Sequence, residues 1–137
     1  MNLLLLLTAL AQDTGAVRLE IANVSSTEGQ LLVALFRAED GYPDEPDKAY
    51  RKALVPPVVG TTTWTFDALP PGTYAAFVVH DENMNQQCDL KWPIPMPKEP
   101  VGATRDAKGS FGPPKFKDAS FSVTTGVAVQ RFKLVRL

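Results

Sequence analysis

Asp81, Asn83 and Asn85 stand at the first, third and fifth places of "DENMNQQCD", with Asp89 at the ninth. Oxygen-bearing side chains at alternate positions are how a calcium loop wraps a hard cation. On this reading the four side chains ligate Ca²⁺ and Gln87 adds a backbone carbonyl. Two carboxylates make a low-affinity site, on the order of 10⁻⁴–10⁻³ M as in extracellular modules. Glu82, Glu99, Asp106 or the acidic "EDGYPDEPD" segment could supply a third. Two positions depart from the pattern. Gln86 occupies the sixth place, where glycine takes a left-handed turn freely, and Trp92 occupies the twelfth, where a bidentate acid belongs. The alternative is a polar turn whose Asx side chains cap their own backbone.

The same stretch holds softer ligands. His80, Met84, Cys88 and Met96 form a Cu(I)-type set within a short span. With one histidine in the chain, a blue-copper centre, which needs two, is excluded. Hydrolysis has little to work with: His80 is the only imidazole base, and no G-x-S-x-G elbow is present. No catalytic residue is assigned. A formal net charge of -1 and the lack of a basic stripe argue against nucleic acid. Cys88 is the only cysteine, so no internal disulfide can form.

The elements that position these groups read as strands. "VRLEIANV" alternates, with Val17, Leu19 and Ile21 on one face. "QLLVALF" and "TYAAFVV" are apolar on both faces, and "TTTWTFDAL" alternates with Trp64 and Phe66 inward. "KALVPPV" is an edge strand because Pro56-Pro57 interrupts it. "VAVQRFKLVRL" changes phase, which predicts a bulge near Gln130-Arg131. A helical period is confined to "PDKAYRKAL". About seven short strands separated by turn signals predict an all-β fold, a single antiparallel sandwich, with one long proline-rich loop from about Glu82 to Lys115. The opening "MNLLLLLTALAQD" reads as a signal peptide over residues 1–11, leaving a domain over 12–137 that is periplasmic or extracellular. The apolar run is too short for a permanent membrane anchor.

"FDALPPGTYAAF" gives the sharpest local geometry. Leu69 plugs the core, Pro70-Pro71-Gly72 turns the chain, and Tyr74 is placed to return its hydroxyl to the backbone as a tyrosine corner. "LPPGTYAAFVVHDENMN", with "DGYPDEPDKA" before it and "GSFGPPKFKDASF" after it, resembles the bacterial domain-of-unknown-function 2141 family from about Val17 to Leu137. The resemblance implies a secreted or periplasmic sandwich of transthyretin-like or immunoglobulin-like type, without an assigned activity. The chain departs from the family at Met84 and Gln86, where the loop is glycine-rich. It departs again at Val101, Ala103, Arg105 and Asp106, where aromatic and paired asparagine positions are usual. The reading that follows is a binding or interaction module whose long and acidic loops form one surface. That surface includes His80, Glu82, Trp92, Arg105 and Asp106, and its partner is a protein, a glycan or a small molecule. A structural envelope module and a hydrolase of unfamiliar type are the alternatives.

Overall fold

Alternation in "VRLEIANV" becomes strand β1, Gly15–Val24, whose Val17, Leu19 and Ile21 are fully buried. The computed structural model describes residues 13–86, 90–91, 96–109 and 112–137 of the 137. Further strands follow as β2 (Gln30–Phe36), β3 (Arg51–Val55), β4 (Gly60–Leu69) and β5 (Gly72–Asp81). After them come β6 (Leu90–Lys91), β7 (Met96–Pro97), β8 (Val101–Ala103), a short helix α1 (Phe116–Ala119), β9 (Phe121–Val123) and β10 (Gly126–Lys133). One sheet has the order β10-β1-β4. The other runs β3-β2-β5-β8, with β9 also paired to β5, and β6 pairs β7. The two larger sheets share one apolar core in which Leu19, Ile21, Phe66 and Phe132 meet Leu31, Val33, Tyr74 and Val78. The fold is the expected all-β sandwich. Among the described residues no helix is long and apolar enough to cross a membrane.

Strand β5 is the axis of its sheet. It pairs with β2 along one edge, and with β9 and then β8 along the other. Its even-numbered side chains face the core, while Ala75 and Phe77 join a second cluster on the outer face. That cluster brings Tyr42 from the acidic connection against Phe116 of α1, with ring centroids 5.8 Å apart. Tyr42 also stands edge-on to Phe36 at 5.1 Å and donates its hydroxyl to the Ala76 carbonyl at 3.1 Å. At the start of β5 the Tyr74 hydroxyl donates to the Pro70 carbonyl, closing the tyrosine corner.

Several details differ from the sequence expectation. β10 pairs with β1 in parallel, in unbroken register from Gly15↔Gly126 to Ala22↔Lys133, so the sandwich is not purely antiparallel and has no bulge at Gln130-Arg131. A crossover through β9 returns the chain to β1, which permits the parallel pairing. Phe132 is buried while Val127 and Val129 stay exposed on the other face. "PDKAYRKAL" is helical only as a 3₁₀ turn, Pro46–Lys48, before Arg51 enters β3; edge pairing with β2 overrides the helical period. The proline-rich segment is not one structureless loop, because β8 docks onto β5. There a side chain at Gly102 would come within 2.7 Å of the Lys133 carbonyl. Trp64 is only partly buried, packed against the core's margin.

The corner is expected to be structural. Urea denaturation of Tyr74→Phe should show a loss of about 1 kcal/mol from the missing hydrogen bond. Leu69→Ala, which empties a fully buried position, should cost about 2–5 kcal/mol. A Tyr74→Phe protein as stable as the parent would separate the corner from the stability of the sheet.

Candidate functional site

At the far end of β5 the strand runs into the polar turn. Asp81 is fully buried, and among the described residues its carboxylate accepts three donors. The Asn85 backbone N–H donates to Oδ1 at 3.1 Å, while the Gln86 N–H at 2.7 Å and Gln30 Nε2 at 3.0 Å donate to Oδ2. Asn83 Oδ1 accepts a second contact from the Asn85 N–H at 3.2 Å. Such an arrangement is an Asx-capped turn: the alternating oxygens meet N–H groups. Met84 and Gln86 both take left-handed backbone, with φ of 62° and 58°, so the residue in glycine's usual place adopts glycine's conformation. Among the described residues no group of three or more His, Cys, Asp or Glu side chains is placed to hold a metal ion. Cys88, Asp89 and Trp92 lie outside the described residues, as do the first 12 residues, where a signal peptide was expected.

His80 occupies the neighbouring position and so points the opposite way, into the core. It is fully buried, not on the surface where the sequence reading placed it. Its Nε2 lies 2.7 Å from the Glu28 carbonyl, which can only accept, so this nitrogen carries the proton. Nδ1 has no hydrogen-bond partner among the described residues. The remaining members of the expected surface are used to hold the fold. Glu82 takes both carboxylate contacts from Arg136 Nη2, at 3.0 and 3.1 Å. Asp106 Oδ1 accepts the Lys133 N–H at 3.0 Å, and Arg105 Nη1 reaches the Ser120 carbonyl at 3.3 Å.

The two connections do approach one another, around a feature the sequence reading missed. Register puts Leu54 opposite Leu32 and Lys52 opposite Ala34, all on the outer face of the larger sheet. They floor a groove of about 350 Å³ whose walls are Pro46 and Asp47 of the acidic connection and Gln86 of the polar turn. Leu54 is 55% exposed there. The missed signal was period two in "KALV": an edge strand with Leu54 on the face opposite to Val55, which is buried.

The connection that walls the groove is rich in carboxylates. The connection carries Glu39, Asp40, Asp44, Glu45 and Asp47. Lys48 contacts Asp40 at 3.1 Å and Glu45 at 3.3 Å, and these hydrogen bonds, Asp40's first, push its ammonium pKa up. Lys52 reaches Asp47 at 3.3 Å. Asp47 and Lys52 thus offset each other at the groove itself, while Glu39 and Asp44 elsewhere on the connection have no ion pair among the described residues. Burial pushes the Tyr42 phenol well above its ordinary range, which keeps it a neutral donor anchoring this connection.

The family model described as "Uncharacterized protein conserved in bacteria (DUF2141)" matches residues 19–130, and the chain belongs to that family. No curated protein and no solved structure matches it.

The turn should respond as a capped turn. Asp81→Asn keeps the size of the side chain but replaces an acceptor with a donor, and should lower unfolding stability by about 1.5–3 kcal/mol. Gln86→Gly should raise it by about 0.5–1 kcal/mol by relieving the left-handed backbone. Millimolar calcium should leave the thermal midpoint unchanged; a rise that Asp81→Asn abolishes would restore the calcium loop.

Proposed function

We propose that this member of the DUF2141 family is an exported binding module whose outer groove takes an extended segment of another protein, apolar at one position and basic around it. Leu54 carries the reading: a leucine left open beside Leu32, at the floor of a groove walled by an acidic connection and an ordered polar turn. The edge beyond β3 is unpaired among the described residues, where β3 is hydrogen-bonded to β2 alone. An added strand can use such an edge for main-chain hydrogen bonds while one of its side chains enters the groove. Pro56-Pro57 ends β3 at Val55, so the augmented stretch is short and specificity falls to the groove. The unpaired acids of the adjoining connection, Glu39 and Asp44, favour Lys and Arg in the partner and speed encounter more than they deepen affinity. Export is supported by the leucine-rich opening and its Ala9-Leu10-Ala11 cleavage pattern.

Selection from a phage-displayed random peptide library should enrich an apolar residue flanked by Lys or Arg. Leu54→Asp should weaken the selected peptide at least about tenfold, near 1.4 kcal/mol, and added salt should slow its association. Enrichment of acidic peptides, or binding indifferent to Leu54→Asp, would retire the groove as the site. Mass spectrometry of protein made in an export-competent bacterial host should find a mature chain beginning near Gln12. An intact Met1 would remove the export half of the proposal.

A further inference from the structure

The corner end of the sandwich holds a second arrangement, independent of the groove. Arg37 follows β2 and is exposed, yet its place is set. Its guanidinium carbon lies 5.2 Å from the Tyr50 ring centre and 5.3 Å from that of Tyr74. Both distances are within the range of a cation–π contact. Tyr74 is itself fixed by the corner. Gly72 leaves the space, since a side chain there would come within 3.2 Å of Arg37 Nη2. Arg51 shares the Tyr50 ring, at 5.6 Å, but its Nη1 and Nη2 donate to the Asp67 and Ala68 carbonyls at 2.7 and 3.1 Å. The two arginines are therefore differently committed. Arg37 has no hydrogen bond or ion pair among the described residues. A guanidinium placed over ring faces by cation–π contact spends none of its donors there, so its N–H edge stays available to a ligand.

That edge borders an open cavity of about 660 Å³, lined among the described residues by Asp13, Arg37, Pro70, Pro71 and Thr125. Pro70 and Pro71 form a stiff apolar wall, and Thr125 adds a hydroxyl. Asp13 contributes a negative charge that forms no ion pair with Arg37. We infer that this cavity seats a monoanionic carboxylate ligand, its carboxylate bidentate on Arg37 and its apolar body along Pro70-Pro71. The fork geometry of guanidinium and carboxylate supplies the match. A phosphate dianion fits less well: it would bring a second negative charge towards Asp13 with only one uncommitted arginine to meet it.

The carboxylate belongs to a small acid or to a peptide C-terminus, and one titration separates these. The full domain, with Arg37 Nε–Hε observed by NMR, is titrated with butanoate, an N-acetyl dipeptide acid, the same dipeptide as its amide, and inorganic phosphate. The two acids should give saturable shifts and the amide none. Arg37→Lys should weaken binding at least about tenfold, because an ammonium replaces the fork. Arg37→Gln should abolish it while the backbone amide spectrum keeps the pattern of the folded parent. Tighter binding of the dipeptide acid assigns the seat to chain termini; equal binding assigns it to small acids. No saturable shift, an equal response to the amide, phosphate tighter than either acid, or parent-like binding by Arg37→Lys would overturn the inference.

Discussion

A strand buried on both faces needs a second cover, and β5 imposes that need on the whole chain. Tyr74, Ala76 and Val78 face the sandwich core while Ala75, Phe77 and Val79 face outward, and nearly all are closed to solvent. The opposing sheet can cover only one of these faces. The other must be covered by connections, and the two long ones do it: Tyr42 from one and Phe116 from the other meet over Phe77 and Ala75. Length in these segments is therefore a packing requirement. An aromatic anchor with edge-to-face neighbours holds a connection that has almost no regular structure of its own. The cover stops short of β3, and the uncovered remainder is the groove over Leu54 and Leu32.

Both ends of β5 are closed by polar contacts within a few residues. Tyr74 ties the start back to Pro70, and Asp81 ties the end forward to Asn85 and Gln86. Each closure hands a neighbouring side chain to a cavity. The corner stacks Arg37 at one end, and the Asp-capped turn presents Gln86 at the other. Loop residues acquire defined positions here because a buried strand end, with backbone groups that must be satisfied, specifies them.

Much of this was legible in the sequence because period two and turn chemistry are local. β1, β2, β4, β5 and the tyrosine corner follow from alternation, apolar runs and Pro-Pro-Gly. Parallel pairing of β1 with β10 was not legible, since register between strands a whole domain apart is decided by the core they share. The phase of β10 misled for a related reason: Val127 and Val129 read as core residues, although Ala128 faces inward between them. At the turn, alternating Asp and Asn oxygens serve a cation or a set of N–H donors equally well. The backbone path, with the Asn85 and Gln86 N–H groups turned onto Asp81, shows the capped turn. His80 misled because one position along a strand reverses direction, which separates it from Asp81 across the sheet.

Strain gives a last link between fold and sites. Asn23, Ala68, Met84, Gln86, Arg105 and Asp106 have positive φ without being glycine. Each such residue costs roughly 1–2 kcal/mol and persists where its surroundings over-determine it. Here each has a hydrogen bond at hand. Asn23 Nδ2 donates to the Leu134 carbonyl, the Ala68 carbonyl accepts Arg51, and the Met84 and Gln86 N–H groups are taken by Asp81. Arg105 reaches Ser120, and Asp106 accepts Lys133. One of the six, Gln86, walls the groove. Glycine at this place would relax the backbone and remove a side chain from the groove wall. Retaining a side chain there exchanges some stability for fixed geometry, as the proposed binding groove would need.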